Sequence, residues 1–457
     1  MDFDEKSAIF VLKLKKIMNW QQLLSNKRLG QESLHLDRKD DRTEFKRDYD
    51  RLIFSAPFRR LQNKTQVFPL PGSIFVHNRL THSLEVASVG RSLGDDAARL
   101  LLERHPELAD THLSEIGSIV SAACLAHDMG NPPFGHSGER AIASYFKEGN
   151  GMQYRELMSD EEWADVTHFD GNANAFRLLT HTFKGRRQGG FVMTYSTLAA
   201  IVKYPWPAIQ CGKKPKFGFF QQERDAYERI AEELGLQPAS ELQKGVRHPL
   251  VYLVEAADDI CYEIMDIEDA HKLRLLTTEQ TKELLFAFIP QDHHARALEV
   301  FDKVTDVNEQ VVYLRSSAIG TLERECVRTF VEHEQEILDG TFTGSLIEHI
   351  SPDVYEAYRR CQKVSVQKIY RSKDVLDIEL AGYRIISQLI DLFTEAVMHP
   401  EKEYSKLLLA RVSSQYEVDA PEPYTRIMAV LDYLSGMTDV FALDLYRKIN
   451  GESLPMI

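Results

Sequence analysis

The sequence predicts a mainly α-helical protein, and three observations indicate this class. Apolar residues over 250–267 recur three and four positions apart, which is the spacing of one buried helix face. Residues 116–125 and 221–234 repeat this pattern. Strand-like segments bounded by glycine or proline occur only at 190–193 and 216–220, so we expect at most one short β-hairpin.

The ends of these helices carry recognisable signals. The helix over 116–125 runs towards Gly130 and then two consecutive prolines, which stop a helix. Gly235 follows the helix over 221–234, at the position where a left-handed C-terminal cap is expected. Further helical patterns lie in the last third of the chain, at 284–288, 364–369, 376–397 and 427–445.

These elements predict three regions. An N-terminal extension with a lead-in helix covers 1–40, a helical core covers 41–275, and a helical C-terminal region over 276–457 packs on the core. The sequence shows no long flexible linker, internal repeat or low-complexity tract between them. With 457 residues, of which 43% are hydrophobic, the chain can bury a large core.

Composition argues against several classes of protein. The net charge of −14 disfavours a protein that permanently coats nucleic acid or binds anionic membranes. The five cysteines form no C-x-x-C pair, which is typical of reduced thiols rather than a disulfide frame or a thiolate metal site. The sequence has no apolar run of about 18 residues and no signal-peptide pattern, so we expect a cytoplasmic protein with no membrane partner.

Three segments concentrate histidine and carboxylate residues: 78–85 (NRLTHSLE), 126–139 (AHDMGNPPFGHSGE) and 255–262 (EAADDICY). Imidazole and carboxylate together suit divalent cations such as manganese, iron, cobalt and nickel. The pair His127 and Asp128 ends an otherwise apolar helix. Burying that pair without partners would be costly, so we expect either a metal ion or a hydrogen-bond network around it.

The order of His82, the doublet His127-Asp128 and Asp258 resembles the H…HD…D signature of the HD-domain phosphohydrolases. Longer strings narrow the resemblance to the deoxynucleoside triphosphate triphosphohydrolases, or dGTPases: FRRLQ at 58–62, KTQV at 64–67, GNPPFGHSGE at 130–139 and EAADDI at 255–260. The resemblance runs from 42 to 269 and resumes over 424–448, around SGMTD. It implies an HD-type helical catalytic core, with the C-terminal region contributing to the substrate pocket and to an oligomer interface.

The resemblance implies one divalent metal ion (Mn, Fe, Co, Ni or Mg) with four protein ligands: His82, His127, Asp128 and Asp258. Asp258 is preferred to Asp259, because neighbouring residues on a helix point about 100° apart. HD hydrolases with two metal ions have further histidines near the doublet. Asn131 stands there in this chain, which favours a single ion, with additional Mg²⁺ carried on the substrate's phosphates. The alternative is a buried His–Asp network without metal.

His136 and Glu139 lie three residues apart, so both can face one site from a single helical turn. By resemblance they are the catalytic pair, in which Glu139 orients His136 and His136 manages a proton at the α-phosphate. The alternative is that His136 only caps a turn and that Glu139 is solvated.

For the substrate, the resemblance implies contacts from seven side chains: Gln66, Arg79, Asn172, Lys203, Tyr204, Tyr262 and Asp266. Gln66 would probe the sugar, and the cationic and amide side chains, with Lys64 as a further cation, would contact the phosphates. Tyr262 and Asp266 share one helix face with Asp258. Tyr262 would stack on the sugar and exclude a 2′-hydroxyl, while Asp266 would accept a hydrogen bond from the 3′-hydroxyl. An ordinary half-buried helix face is the alternative.

The implied activity is hydrolysis of deoxynucleoside triphosphates, dGTP being favoured, to deoxynucleoside and tripolyphosphate. Two alternatives stay open: another HD phosphohydrolase acting on a monophosphate or cyclic nucleotide, and a non-catalytic nucleotide or DNA sensor. The resemblance also implies a homo-oligomer, a hexamer in preference to a tetramer. Residues 213–220 interleave lysine with aromatics, as single-strand DNA contacts do, so regulation by single-stranded DNA or a second nucleotide is a hypothesis. Its alternative is a hairpin with a solvated basic tip.

Overall fold

The computed structural model describes residues 18–32, 42–68, 76–212, 215–236 and 245–453. The α-helices in these ranges are α1 (Trp20–Leu23), α2 (Glu44–Ile53), α3 (Ala56–Arg60), α4 (Arg79–Arg104), α5 (Ile116–Ala126), α6 (His136–Glu148), α7 (Asp160–Thr167), α8 (Gly171–Thr180), α9 (Tyr195–Ile201), α10 (Arg224–Leu234), α11 (Leu250–Lys272), α12 (Thr278–Phe286), α13 (His294–Lys303), α14 (Val307–Glu332), α15 (Glu334–Leu338), α16 (Pro352–Val364), α17 (Lys373–Met398), α18 (Glu403–Leu409), α19 (Pro423–Ser435) and α20 (Asp439–Ile449). A π-helical turn, Ser365–Ile369, follows α16. The prediction of a mainly α-helical protein is confirmed.

Three long helices form the centre of the molecule. α4 packs lengthwise on α5 and α11, and α14 covers α11 and α4 from the other side. The face of α11 that was recognised from its apolar spacing is buried almost without interruption, as expected of a helix with neighbours on several sides. This packing brings the start of α4, the end of α5 and the middle of α11 together.

The buried apolar side chains form two clusters. The first contains the central helices together with α9, α10 and α12–α16. The second joins α6 and α7 to α17, α19 and α20. The C-terminal region therefore divides in two: its first half extends the central cluster, and its second half packs on the helix that begins at His136.

Segments 190–193 and 216–220 do not pair with each other, so the described residues contain no hairpin, which agrees with the expectation of at most one. Thr194 forms an isolated bridge with Arg28, and Phe219 forms one with Pro207. The reason lies in burial: the aromatic side chains of the second segment are all buried rather than alternating between two faces.

Predictions about helix ends are largely confirmed. α5 ends at Ala126, so His127 and Asp128 lie in the turn just beyond it rather than in its last turn. Gly235 caps α10 in the left-handed region, with φ +72°. The pattern at 427–445 is interrupted, because α19 stops at Ser435 and α20 starts at Asp439. Most of the predicted extension over 1–40 lies outside the described residues.

No helix in the described part of the chain has both the length and the apolarity needed to cross a bilayer.

Candidate metal and catalytic site

The four predicted metal ligands converge from two helices and from the turn that follows α5. His82 lies in the first turn of α4, which Asn78 and Thr81 cap reciprocally, and Asp258 lies in the middle of α11. Asp258 Oδ1 is 3.1 Å from His82 Nε2 and 3.5 Å from His127 Nε2. One ligand atom each from His82, His127 and Asp128 lies within 4.8 Å of the other two. Two imidazoles with two carboxylates at this spacing fit a divalent metal ion.

The tautomer of His127 supports this fit. His127 Nδ1 lies 2.6 Å from the carbonyl oxygen of Cys124, so it carries a proton and donates there, and Nε2 is the ring nitrogen that faces the carboxylates. Burial lowers the pKa of His127, but Asp128 and Asp258 outweigh burial and raise it to about 9. The pocket thus favours positive charge at this point, as a cation site does.

Asp258 contacts both imidazoles and Asp259 does not, in agreement with the preference stated from helix geometry. Burial opposes ionisation of Asp258, but the two histidines hold its pKa well below the ordinary value. Asp259 lines both the cavity that surrounds these residues and a neighbouring cavity. Burial raises the pKa of Asp259 to about 8 against the influence of Lys203.

Asp128 has two further partners in the site. Arg79 Nη1 donates to Asp128 Oδ2 over 2.7 Å, and the Asn131 amide donates to Oδ1. Glycine at residue 135 leaves room for Arg79: a Cβ there would lie 2.6 Å from Arg79 Nη2, and the φ of +55° also favours glycine. Asn131 therefore acts as a hydrogen-bond partner of a predicted ligand.

His136 and Glu139 form the predicted pair. His136 Nδ1 lies 2.9 Å from Glu139 Oε2, and the Gly171 N–H donates to Glu139 Oε1 over 2.7 Å. Glu139 is buried, whereas the His136 side chain is 70% exposed at the cavity. Burial raises the pKa of Glu139, but His136 and Lys216 outweigh burial and hold it below its ordinary value. Glu139 is therefore an ionised group that orients the ring, not a solvated carboxylate.

The predicted ligands His127, Asp128 and Asp258 and the pair His136 and Glu139 line a cavity of about 510 Å³, whereas His82 is buried beside Asp258 and does not line it. Six of the predicted substrate residues line it: Gln66, Arg79, Asn172, Lys203, Tyr204 and Tyr262. Asn172 is fixed by Asp170, which accepts from both its backbone and its amide nitrogen. Lys203 is 2.9 Å from Glu255.

Asp266 does not line this cavity. It is buried one layer behind the wall, where it accepts a hydrogen bond of 2.8 Å from the hydroxyl of Tyr370. Burial raises the pKa of Asp266 well above its ordinary value. Tyr370 does line the cavity, and its ring centre lies 6.0 Å from that of Tyr262. Sequence reasoning missed Tyr370, which carries no local signal 104 residues from Asp266.

Lys64 and Lys216 do not lie where the sequence analysis placed them. Lys64, named as a further phosphate contact, is buried away from the cavity and donates to the carbonyls of Asn131 and Ser435. Lys216, assigned to the DNA-like run, instead lines the cavity, with Nζ 3.0 Å from Asp170.

The described part of segment 213–220 does not present its aromatic rings at the surface. Phe217, Phe219 and Phe220 are buried in the protein, so their rings cannot stack on bases at the surface. Lys213 and Lys214 lie outside the described residues.

Comparison with known proteins gives the class and then the family. Residues 79–204 match the HD domain, and residues 349–448 match the phosphohydrolase-associated domain. The first match begins at Arg79 and ends at Tyr204, so it contains three of the predicted metal ligands and the catalytic pair.

Relatives extend the match over nearly the whole chain. A deoxyguanosinetriphosphate triphosphohydrolase-like protein of Pseudomonas aeruginosa is 38% identical over 447 residues, covering 96% of this chain and 100% of the relative. One of Synechocystis is 38% identical over 453 residues, with the same coverage. The deoxyguanosinetriphosphate triphosphohydrolase of Yersinia enterocolitica is 30% identical over 508 residues, covering 94% of this chain and 99% of the relative. The chain belongs to the deoxyguanosinetriphosphate triphosphohydrolase family.

Proposed function

We propose that this protein hydrolyses deoxynucleoside triphosphates, dGTP among them, to deoxynucleoside and tripolyphosphate. One observation carries the proposal: His127, Asp128, Asp258 and the His136–Glu139 pair line one cavity that is also lined by cationic side chains, and His82 Nε2 contacts Asp258. A cluster of potential metal ligands alone would suit many hydrolases. Its combination with an oriented histidine suits attack of water on a phosphate ester.

His82, His127, Asp128 and Asp258 would hold one divalent metal ion. When bound, the ion supplies Lewis acidity that polarises the α-phosphate. Since Nδ1 of His136 is engaged by Glu139, Nε2 is the nitrogen free to accept a proton from an attacking water. The ionised Glu139 then stabilises the imidazolium that forms, much as the carboxylate does in a catalytic triad.

The phosphates meet a cavity whose cations already have acidic partners. Arg79 pairs with Asp128, Lys203 with Glu255, and Lys216 with Asp170. These ion pairs hold the cationic groups in place, but they leave the cavity with little net positive charge. A triphosphate, which carries about four negative charges, therefore needs the metal ion as well as these groups, and this supports a metal-dependent reaction.

The sugar would lie against Tyr262. Its ring is packed edge-on to His82, with ring centres 6.3 Å apart, so it stands directly beside the proposed metal ligands. Tyr370 lines the cavity next to Tyr262, and Asp266 accepts the hydrogen bond of the Tyr370 hydroxyl from behind. A ribose 2′-hydroxyl pressed against the ring would lose its hydration without gaining a partner, which favours deoxyribose. The preference for guanine follows only from the names of the relatives.

We also propose that the protein acts as a homo-oligomer, a hexamer in preference to a tetramer, as its membership of the family suggests. Size-exclusion chromatography with light scattering tests this directly. A monomer at micromolar concentration would contradict it.

Product identity tests the proposed reaction. The purified chain is incubated with dGTP and Mn²⁺, and the products are separated; we expect deoxyguanosine and intact tripolyphosphate. dGMP and cyclic GMP serve as matched substrates and should be left unchanged. Orthophosphate or pyrophosphate as product would indicate a different phosphohydrolase. No turnover across several metals and deoxynucleotides, with an oligonucleotide also tried, would favour the sensor.

A further inference from the structure

A carboxylate from the far end of the chain reaches the turn over 131–135, which precedes His136 and is called the catalytic turn below. Asp439, the first residue of α20, is buried, and each of its oxygens accepts one backbone hydrogen bond. Oδ2 accepts from the N–H of Thr65 over 2.8 Å, and Oδ1 accepts from the N–H of Phe134 over 2.9 Å. Thr65 immediately precedes Gln66, and Phe134 lies two residues before His136. One side chain therefore holds two separate parts of the cavity wall.

Lys64 joins the same segments from the opposite direction. Its Nζ donates to the carbonyl of Asn131 over 2.5 Å and to the carbonyl of Ser435 over 2.8 Å. The turn over 435–439, which connects α19 to α20, is thus tied to both 64–65 and 131–134. The ties end on backbone groups of these segments, so they locate the backbone directly.

The catalytic turn depends on such support. Phe134 has φ +62° and Gly135 has φ +55°, and a non-glycine residue in that region is strained unless its surroundings hold it there. α6 then begins at His136 with no side-chain cap, because its N-cap residue is glycine. Two prolines precede Phe134 and carry no N–H, so the Phe134 amide is the first donor that this turn offers after Asn131.

We propose that Asp439 is a positioning residue. It holds the turn before His136 and the backbone before Gln66 in the positions that catalysis and substrate binding require. It touches neither substrate nor metal, and it acts through these two segments. The proposal rests on the proposed function for its effect on turnover, but the contact itself can be tested without any activity.

The first test is kinetic and uses the full chain. Asp439→Ala should lower kcat for dGTP roughly 10–100-fold, because a small displacement of a catalytic group is enough for such a loss. It should also raise KM through Gln66, while Mn²⁺ binding stays that of the wild type, since no metal ligand is held by Asp439. Asp439→Asn keeps one acceptor oxygen, so its kcat should lie between those of the wild type and Asp439→Ala. Asp444→Ala is the matched control, because Asp444 lies on the same helix and pairs with Lys448 at the surface; it should behave as wild type.

The second test is hydrogen exchange, which needs no substrate. In Asp439→Ala the amides of Thr65 and Phe134 should lose protection, while the amides in the middle of α4 and α11 keep theirs. If Asp439→Ala does not fold, the same pair of readouts on Asp439→Asn decides, with partial loss of protection at one or both amides as the expected result.

The outcomes separate the two proposals. An active wild type with unchanged kcat and unchanged protection in the variants would overturn the positioning role. Uniform loss of protection, including α4 and α11, would also overturn it, because Asp439 would then serve the whole fold. An inactive wild type with selective loss at Thr65 and Phe134 would support the contact and refute the proposed function.

Discussion

Arg79 Nη1 donates a hydrogen bond of 2.7 Å to Asp128 Oδ2, so the arginine expected to bind phosphate is held by a predicted metal ligand. Both side chains are buried, with 5% and 8% of their residues' surface exposed. Arg79 Nε has no hydrogen-bond partner among the described residues. Arg79 also lines the cavity, so it fixes Asp128 and can present its remaining guanidinium N–H groups to a substrate phosphate.

Replacing Asp128 should remove metal binding and turnover together. Asp128→Asn is the informative variant, because Asp128→Ala leaves the Arg79 charge buried without its partner, which costs about 3–5 kcal/mol of stability. The amide keeps an oxygen for Arg79 but loses the negative charge that a divalent ion needs. Calorimetric titration with Mn²⁺ and dGTP hydrolysis measure the two effects. Retained activity would contradict the assignment of Asp128 as a ligand.

Asp432→Asn is the control for this substitution. Asp432 is also a buried arginine partner, 2.8 Å from Arg177 Nε, but it lies outside the cavity. It should lower the free energy of unfolding and leave the affinity for Mn²⁺ unchanged.

Much of this site was predictable because each key residue sits at a position that local sequence determines. Asn78 starts α4 and so places Arg79 and His82 in its first turn. The apolar run of α5 and the stop that follows it place His127 and Asp128 together at a buried helix end. Helix periodicity alone separated Asp258 from its neighbour. The fold class followed in the same way, from periodicity repeated along the chain.

The remaining features depend on contacts between residues far apart in the chain. Lys64 looked like a phosphate ligand, but its partner carbonyl belongs to Ser435, 371 residues away, and no local pattern indicates this. Asp266 shares the helix face of Tyr262, as expected, yet Tyr370, in the turn after the π-helical segment, covers it. Lys216 appeared to belong with exposed aromatics, which tertiary packing buries instead. Periodicity indicates which face of a helix is buried but not which residue will cover it.

His136→Ala should preserve substrate binding and lower the rate by roughly 10²–10⁴-fold, the range typical of a general acid or base. The ring is largely exposed at the cavity, so its removal should cost little stability. Steady-state kinetics with dGTP, together with calorimetric binding of a non-hydrolysable analogue, measure rate and affinity separately. An undiminished kcat would remove His136 from the catalytic pair.

The chain provides a matched control for that experiment. His333 and Glu336 form the same arrangement three residues apart, with Nδ1 3.2 Å from a carboxylate oxygen, but at the surface and away from the cavity. His333→Ala should leave kcat and KM unchanged.

Tyr262→Ala should weaken discrimination between dGTP and GTP more than it weakens use of dGTP. Without the ring, the 2′-hydroxyl keeps its hydration and no longer meets a wall. The ratio of kcat/KM for the two nucleotides is the measurement. Tyr355→Ala, in the neighbouring cavity, is the control and should leave the ratio as in the wild type. If GTP stays excluded from Tyr262→Ala, another group discriminates between the sugars.

His77 should make stability depend on pH. Its Nδ1 lies 2.8 Å from Asp269 and its Nε2 lies 3.1 Å from Glu85. Because His77 immediately precedes the N-cap residue of α4, these contacts connect the start of α4 to α11. Burial lowers the pKa of His77, but hydrogen bonds to the two carboxylates outweigh burial and raise it to about 10. Because this value exceeds the ordinary pKa of about 6.5 in the unfolded chain, the stabilisation is complete below pH 6.5 and is lost as pH rises through 10. Urea unfolding of wild type and His77→Gln should therefore show a difference in the free energy of unfolding that is largest near pH 6 and narrows steadily towards pH 10. A difference of constant size across this range would mean that the ring packs there uncharged.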